Sequence, residues 1–564
     1  MIKDKLQKLI KESLKKLGIK NEITDFKHPA NPEYGDYATG IALKLAKKIG
    51  KNPMLIAEKI AKNIPQVDFV SRIEVVKPGF INFWIADSFL LAEAKKYREN
   101  KIIYPKITFG KEAKVMVEFA HPNTLKLFHI GHLRNIITGE AVVRILEAVG
   151  NRVVRTNYQG DVGLHIAKTL WRLKKIVKTE GETILQSKDL LKNIKLLGKA
   201  YAEGNKAYET NEKAKEEIIA VNEQIYNENP EIFDLWKKTR QWSLDYFNTI
   251  YKRVYSRFDR LYFESEMSHR ALTIAYEAMK KGILERSDGA IIFNGKKYGL
   301  DTRVFVNAFG FPTYEGKELA LAEKEFSDFG VLDRTIHVVG PEQTSFFKVT
   351  FKVEELLDPE KYDRKQYHLI YGWVRLKTGK MSSREGNVVE GPWLLDETKK
   401  KIKETYHSND KIAEALAIAA VKYSFLKTGI QNDIAFDFKE SISLDGNSGP
   451  YLIYTFVRTR SVLEKGGKID NFEIKNMLEE EKALLRIFYQ FPEVVGYAAA
   501  NLAPNYIASY LFDLAQKYNL FYQKYPILKT ERNLKNFRLM LTETTSNILK
   551  EGLRLLGIET IEKM

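Results

Sequence analysis

Two histidines, His129 and His132, are spaced by one helical turn and enclose a glycine, Gly131. They lie where a short apolar strand, residues 115–119, leads into a helix predicted at residues 131–149. At such a junction in a parallel sheet, the helix N-terminus offers unpaired N–H groups and partial positive charge to a phosphate. The imidazoles can donate to phosphate oxygens as charge develops, and Gly131 leaves room for a flat base. We therefore predict a nucleotide site with chemistry at phosphorus.

A second chemical signal is a basic, hydroxyl-rich loop that follows the strand predicted at residues 368–374. The loop contains Lys380, Met381, Ser382 and Ser383. Such a loop can fold over a triphosphate and neutralise the charge of a departing pyrophosphate. Lys126, three residues before His129, can make the same contact. The sequence leaves open whether Lys126 or Lys380 makes the main phosphate contact.

The elements around these motifs indicate a multidomain α/β protein. Strand, helix and strand succeed one another over residues 113–158, which is the order of a βαβ unit in a parallel sheet. A second half of the same kind spans residues 335–374, and residues 165–257 between the halves have helical periodicity throughout. We predict a Rossmann-like catalytic core that is interrupted by a helical insertion.

Three domains are predicted along the 564 residues, a length that allows three or four domains of about 150 residues each. The first, residues 1–105, is an α+β module with a helix predicted at 38–49 and with 13 lysines against 7 acidic residues in its first 60 positions. The catalytic domain covers residues 106–395. Residues 396–564 are again helical by periodicity and form the third domain.

Charge and composition narrow the choice of partners. The net charge of +17 favours a polyanion, and no apolar run reaches the roughly 18–20 residues that cross a bilayer, so we expect nucleic acid and no membrane. A lysine-rich composition explains the charge alone equally well. The chain has no cysteine, which excludes disulfides, thiolate zinc sites and cysteine nucleophiles. We expect a cytoplasmic protein with no metal site of its own.

The motifs together resemble those of one enzyme family. The tetrad 129–132 (HIGH) resembles the HIGH signature of class I aminoacyl-tRNA synthetases, and residues 380–383 resemble their KMSKS loop, with Ser383 in place of the second lysine. Residues 117–123 (VEFAHPN) and 157–163 (NYQGDVG) resemble the VEFSSPN and NYxGDxG stretches of the arginyl members. The resemblance implies a Rossmann-like class I catalytic core, an α+β N-terminal domain and an all-α anticodon-binding domain.

The resemblance also implies the residues of the catalytic site. For catalysis it implies His129, His132, Lys380 and Lys126. For ATP binding it implies His129, Gly131, His132, Lys380, Met381, Ser382 and Ser383. For arginine binding it implies Asn123, His132, Glu264, Tyr314, Glu318 and Gln343. Acids suit this substrate because a guanidinium group offers five donors in a planar fork. Glu318 stands where the family usually has Asp, and His121 where it usually has Ser.

Stretches outside the catalytic part resemble the tRNA-binding domains of the family. Residues 31–39 and 77–83 are similar to its N-terminal domain, which contacts the outer corner of the tRNA. Residues 443–454 and 552–558 are similar to its helical anticodon-binding domain. The tRNA contacts implied are Tyr34, Tyr37, Phe80, Asn82, Tyr451, Tyr454, Arg458 and Met564.

The implied activity is the ATP-dependent ligation of L-arginine to tRNA(Arg). It would run through arginyl-adenylate, with Mg²⁺ assisting, and end on the 2′-OH of the terminal adenosine; a monomer is expected. Other class I synthetases fit less well: the Val, Ile and Leu enzymes carry a large editing insertion, the Cys enzyme uses a thiolate-bound zinc, and the Glu and Lys enzymes lack the flanking stretches. A small-molecule nucleotidyltransferase would not need the flanking domains. A non-catalytic RNA-binding paralogue is the main alternative, although it should have lost the phosphate-binding groups.

Overall fold

The N-terminal module combines four helices with a small sheet. The computed structural model describes residues 1–20, 22–99, 101–377, 389–474 and 476–564. The module contains α1 (Ile2–Lys16), β1 (Tyr37–Thr39), α2 (Ile41–Ile49), α3 (Pro53–Lys62), β2 (Val70–Val76), β3 (Phe80–Ile85) and α4 (Asp87–Arg98). Its strands form an antiparallel sheet in the order β1-β3-β2.

One boundary in this module differs from the sequence prediction. The helix predicted from residue 38 begins at Ile41, with Gly40 as its N-cap. The residues before Gly40 form β1 instead, in which Tyr37 pairs with Phe83 of β3. Both side chains are fully buried, so burial of this short strand against β3 prevails over helical periodicity.

The rest of the chain supplies ten strands and seventeen helices within the described residues. The strands are β4 (Lys114–Glu118), β5 (Arg152–Gln159), β6 (Arg260–Phe263), β7 (Glu285–Ser287), β8 (Ala290–Phe293), β9 (Arg303–Val306), β10 (Arg334–Val339), β11 (Gln366–Ile370), β12 (Val374–Leu376) and β13 (Ile434–Phe436). The helices are α5 (Ile130–Ala148), α6 (Leu164–Glu180), α7 (Leu190–Thr210), α8 (Glu212–Tyr226), α9 (Pro230–Arg253), α10 (Glu264–Lys280), α11 (Tyr314–Phe329), α12 (Thr344–Leu357), α13 (Pro359–Tyr362), α14 (Gly391–Tyr406), α15 (Asp410–Leu426), α16 (Phe438–Ile442), α17 (Gly449–Gly466), α18 (Glu479–Phe488), α19 (Phe491–Ala500), α20 (Asn505–Lys524) and α21 (Arg532–Leu555).

A parallel sheet of five strands, in the order β11-β10-β4-β5-β6, forms the centre of the catalytic part. Val115, Met116 and Val117 of β4 are all fully buried, as expected for a strand covered on both faces. The chain leaves β4 through α5 to β5 on one side, whereas β10 lies on the other side. This reversal of strand order opens a crevice at the carboxyl ends of β4 and β10.

The predicted strand at residues 368–374 is two strands. β11 ends at Ile370, and Val374 begins β12, which pairs with β13 in a separate parallel sheet. Gly372 lies between them, where its N–H donates to the carbonyl of Ile430 at 2.9 Å. A Cβ on Gly372 would lie 2.5 Å from the backbone of Asn432, so this close approach turns the chain out of the central sheet.

Helices α6, α7, α8 and α9 occupy the stretch that the sequence predicts as a helical insertion. A three-stranded antiparallel sheet, β7-β8-β9, follows α10 and was not predicted. The final part of the chain is helical from α14 onward apart from the short strand β13, which agrees closely with the prediction. In the part of the chain that the structure describes, no helix combines the length and the apolar character that crossing a membrane requires.

Candidate active site

His129 and His132 form a stacked pair at the start of α5. The rings lie 3.6 Å apart between centroids. The Nδ1 of His129 accepts from the backbone N–H of His132 at 3.3 Å, and the Nδ1 of His132 accepts from that of His129 at 3.2 Å. Because each Nδ1 is an acceptor, each ring carries its proton on Nε2. The pair therefore presents two N–H donors at the N-terminus of a helix.

Burial keeps both rings neutral. It lowers the pKa of His129 to about 4, with Lys126 adding to the effect, and it lowers the pKa of His132 well below the usual value. Two imidazolium ions could not stack at this distance without strong repulsion, whereas neutral rings can. The neutral pair can donate hydrogen bonds to an anion but adds no positive charge of its own.

Lys126 connects this pair to the helical insertion. Its Nζ lies 5.1 Å from the ring centroid of Tyr201 on α7. Burial, followed by the charge of Lys168, lowers the pKa of Lys126. His165 on α6 is close enough to Lys126 that burial and this charge lower its pKa to about 3, and its Nε2 is buried without a hydrogen-bond partner. Sequence reasoning missed His165, whose only signal was its place two residues after the NYQGDVG stretch.

Asn123 and Glu264 meet at Gly160. A Cβ on Gly160 would lie 2.3 Å from the Oδ1 of Asn123 and 3.0 Å from the Oε1 of Glu264. Glu264 is buried and its Oε2 accepts from the Nζ of Lys317 at 2.6 Å. Its Oε1 is also buried and has no hydrogen-bond partner. The glycine thus lets Asn123 and Glu264 face one small space, in which the buried Oε1 of Glu264 is an acceptor without a donor.

Asp161 fixes the position of Glu264, a role that sequence reasoning did not assign. Its carboxylate accepts from the backbone N–H of Ser265 at 2.9 Å and from the hydroxyl of Ser265 at 2.7 Å. It also accepts from Nε of Arg240 at 2.8 Å, and its carbonyl accepts from Nε1 of Trp236 at 2.7 Å. Asp161 therefore joins helix α9 of the insertion to the first turn of α10, where Glu264 lies.

Helix α11 carries Tyr314 and Glu318 four residues apart, on one face. Tyr314 is 49% exposed as a whole residue. Partial burial, together with the carboxylates of Glu264 and Glu318, raises the pKa of Tyr314 well above its usual value. Burial, with the charge of Glu118, raises the pKa of Glu318 to about 8. The three groups lie around one acidic space.

Behind Glu318 lies a buried polar network that centres on His337 of β10. The Nδ1 of His337 donates to Glu118 at 3.0 Å and its Nε2 donates to the side-chain oxygen of Gln366 at 2.9 Å. The Nε2 of Gln366 donates to Glu354 at 2.6 Å. Burial opposes a charged ring, but the hydrogen bond to Glu118 and the nearby acids raise the pKa of His337 to about 10. His337 is thus a buried cation beneath the acidic pocket.

Two of the residues predicted for the pocket, Asn123 and Gln343, lie in the segments that follow β4 and β10. Gln343 ends a short 3-10 turn after β10 and is the N-cap of α12. Asn123 follows His121, which has a φ of +48°. The backbone N–H of His121 donates to Asn157 at 3.1 Å, and its own Nε2 is buried without a partner.

The described residues flank the second predicted loop but do not include its four motif residues. Lys380, Met381, Ser382 and Ser383 lie outside the described residues. The residues that follow them pair with the histidine segment: the carbonyl of Val389 accepts from Ile130 at 2.8 Å, and Gly391 donates to the carbonyl of Phe128 at 2.8 Å. The chain after the loop is therefore held against the start of α5.

The predicted tRNA contacts divide into surface and interior residues. Tyr34, Phe80 and Met564 are exposed, and Tyr454 and Arg458 are half-buried, with the Arg458 side chain 4.7 Å from the Tyr454 ring centroid.

Three of the residues expected to contact tRNA are buried in the structure, so the prediction for them is corrected. Tyr37 is buried and donates to Glu493 at 2.6 Å, Asn82 is buried in β3, and the buried Tyr451 hydroxyl accepts from Asn519 at 2.9 Å. These three side chains stabilise the domains rather than reach the solvent.

The chain matches known proteins along nearly its whole length. Residues 96–438 match the model of the tRNA synthetases class I (R) catalytic domain, residues 4–85 that of the arginyl tRNA synthetase N-terminal domain, and residues 452–564 that of the DALR anticodon binding domain. An arginine–tRNA ligase of Fusobacterium nucleatum is 31% identical over 95% of this chain and 94% of its own. An arginine–tRNA ligase of Borrelia turicatae is 32% identical over 100% and 99%. The solved arginyl-tRNA synthetase of Thermus thermophilus is similar with a TM-score of 0.83, 25% identity and full coverage of both chains.

Proposed function

The chain belongs to the class I arginyl-tRNA synthetases, and on that premise we propose that it ligates arginine to tRNA(Arg) through an arginyl-adenylate and ends on the terminal 2′-OH. In the first step the arginine carboxylate attacks the α-phosphorus of ATP, and the bond to the bridging oxygen of pyrophosphate breaks. In the second step the ribose 2′-oxygen attacks the activated carbonyl carbon, and AMP leaves. Both steps build negative charge on oxygen atoms that a preorganised site can stabilise.

The stacked histidines are assigned to the phosphates of ATP. The Nε2–H groups of His129 and His132 donate to phosphate oxygens as the charge grows, and the N-terminus of α5 adds its partial positive charge. Gly131 is assigned to ATP binding through its backbone; a Cβ there would lie 2.9 Å from the His129 ring, so the glycine also lets this ring pack on the start of α5. Lys126 and Lys380 share the leaving pyrophosphate, together with Met381, Ser382 and Ser383 of the second loop. Mg²⁺, when bound with ATP, would neutralise phosphate charge. Within the described ranges no cluster of three metal-binding side chains occurs, and we assign the ion to the phosphates of ATP.

The pocket around Glu264 is assigned to arginine. This assignment rests on the buried Oε1 of Glu264, which has no hydrogen-bond partner and faces Asn123 across Gly160. A buried carboxylate oxygen without a donor is costly, and a guanidinium N–H supplies that donor. Glu318 and the Tyr314 hydroxyl border the same space. Asn123 and Gln343 are assigned to the α-amino end and the neighbouring polar atoms of the substrate, and His132 to its carboxylate.

The tRNA is assigned to surfaces at both ends of the chain. Tyr34 and Phe80 are exposed aromatics on a lysine-rich module, suited to stacking and phosphate contact. Tyr454, Arg458 and Met564 are assigned to the anticodon side. We infer a cytoplasmic monomer whose domains comprise residues 1–105, 106–395 and 396–564.

The 2′-OH assignment has a direct test in tRNA(Arg) transcripts that end in 2′-deoxyadenosine or in 3′-deoxyadenosine. The proposal predicts that the 3′-deoxy transcript accepts arginine and the 2′-deoxy transcript does not. The opposite order would contradict the assignment. A non-catalytic paralogue would bind both transcripts and charge neither, which separates that alternative from the proposal.

A further inference from the structure

Phe309 is the most exposed large apolar side chain in the described part of the protein, at 87%. It lies at the tip of the turn between β9 and α11. Single exposed apolar side chains are common on protein surfaces, so the exposure of Phe309 has meaning only together with the turn that carries it and the residues around it.

The turn holds the ring in place before any partner arrives. The Oδ1 of Asn307 accepts from the backbone N–H groups of both Phe309 and Phe311, each at 3.0 Å. Asn307 and Phe311 also pair through the backbone, with the N–H of Asn307 donating to the Phe311 carbonyl at 2.9 Å. Gly310, at φ +83°, lets the chain turn tightly. The exposed ring therefore stands on a closed, hydrogen-bonded turn and loses little entropy on binding.

The same turn borders the arginine pocket. The ring of Phe311 packs on Tyr226, with 5.3 Å between centroids. The hydroxyl of Tyr226 accepts from the Nζ of Lys317 at 3.1 Å, and this Nζ is the one that pairs with Glu264. On the other side, Thr313 is the N-cap of α11, whose first residue is Tyr314. The Phe309 turn thus stands at the rim of the pocket whose floor holds the guanidinium acids.

A cation lies at the same end of the β7-β8-β9 sheet. Arg286 is exposed and pairs in β7 with Ile291 of β8, which pairs in turn with Val306 at the end of β9. The neighbouring turn approaches the Phe309 turn directly, since a Cβ on Gly289 would lie 3.5 Å from the Cβ of Ala308. An exposed aromatic beside an exposed arginine suits single-stranded nucleic acid, which offers bases to stack on and phosphates to pair with.

We propose that Phe309 is a stacking platform for an unpaired base at the 3′ end of the tRNA. The proposal rests on the proposed function, because the terminal ribose can reach the activated arginine only if the single-stranded end enters by the rim of the pocket. Stacking tolerates any base, so Phe309 guides the strand without reading its sequence. Arg286 pairs with a phosphate of the same strand.

The test compares Phe309→Ala with Phe309→Trp on two RNAs: full-length tRNA(Arg), and the same tRNA without its four unpaired 3′ nucleotides. Loss of one stacked base weakens binding by about ten-fold. We expect Phe309→Ala to raise the dissociation constant of the full-length tRNA by that factor and to leave that of the truncated tRNA unchanged. Phe309→Trp should bind both RNAs as the wild type does. The KM for arginine at saturating tRNA should not change.

A matched control is Val331→Ala, an exposed apolar residue at the opposite, amino-terminal edge of the central sheet; it should affect neither RNA. Equal weakening of both RNAs by Phe309→Ala, or of neither, would overturn the proposal, and so would failure of Phe309→Trp to bind the full-length tRNA normally. Charging of tRNA by the wild-type protein in the same series reports separately on the proposed function.

Discussion

The Nζ of Lys317 lies 2.6 Å from the Oε2 of Glu264, so the acid at the centre of the pocket has one oxygen already paired within the protein. Both side chains are buried. The lysine neutralises the acid and leaves Oε1 without a hydrogen-bond partner in the protein. We therefore propose that a guanidinium group meets Glu264 end-on, through one oxygen, and that a second acid, Glu318, completes its recognition.

The buried pair should contribute strongly to stability. Removing one partner of such a pair leaves an uncompensated charge and costs about 3–5 kcal/mol. We expect Lys317→Met to lower the free energy of unfolding by that amount, and Lys317→Met combined with Glu264→Gln to recover most of it. Urea unfolding measures both. The control is Lys324→Met, which removes an exposed pair with Asp328 and should cost no more than about 1 kcal/mol; equal losses in Lys317→Met and Lys324→Met would contradict this account.

The affinity for arginine should depend on pH through Glu318. Its pKa of about 8 leaves it mostly protonated at pH 7, and only the ionised form above that pKa attracts a guanidinium group. The kcat/KM for arginine should therefore rise as pH increases from 6.5 to 8.5, in assays run at saturating ATP and tRNA. In Glu318→Gln the substrate still titrates but this carboxyl group is absent. The kcat/KM of this variant should therefore be lower and should vary less with pH. A wild-type profile that runs parallel to that of Glu318→Gln would refute the assignment.

Local sequence order predicts the part of the site that depends on neighbouring elements. His129 and His132 lie at a strand–helix junction because strand, turn and helix succeed one another along the chain. His337 was not predictable in this way, because it meets Glu118 only through the pairing of β10 with β4, 219 positions apart in sequence. The same holds for Lys317, which reaches Glu264 because α11 packs beside α10. The side chains that determine the charge of the pocket are therefore brought there by contacts between residues that are far apart in sequence.

The histidine pair should act by hydrogen bonding. Replacement of either His129 or His132 by Ala removes an N–H donor, and loss of one such donor typically lowers kcat by about 100- to 1,000-fold. Asn keeps a side-chain N–H, so His129→Asn should retain more activity than His129→Ala. Because burial lowers the pKa of His129 to about 4, neither ring should produce a fall in rate near pH 6.5. The kcat for charging, measured from pH 5.5 to 8 at saturating arginine, ATP and tRNA, checks both points, and a kcat that the Ala variants leave unchanged would exclude the role.

Gly160 should be intolerant of a side chain. In Gly160→Ala the new Cβ would lie 2.3 Å from the Oδ1 of Asn123, so this residue and Glu264 must move out of the pocket. We expect the KM for arginine to rise by about ten-fold or more, the equivalent of one lost hydrogen bond to a charged group. Gly198→Ala on α7 is the control, since its Cβ would make only ordinary contacts at 3.6 Å. An unchanged KM in Gly160→Ala would show that Asn123 and Glu264 do not form the pocket.

We propose that the acidic pocket selects a cationic side chain for ligation to tRNA. Charging of tRNA(Arg) by the purified protein, with ATP and either labelled arginine or labelled citrulline, tests this selection, because citrulline has nearly the same shape as arginine but no charge. Arginine should accumulate on the tRNA, and citrulline should not. Binding of ATP and tRNA without any transfer of arginine, or equal transfer of both amino acids, would refute the proposed selection.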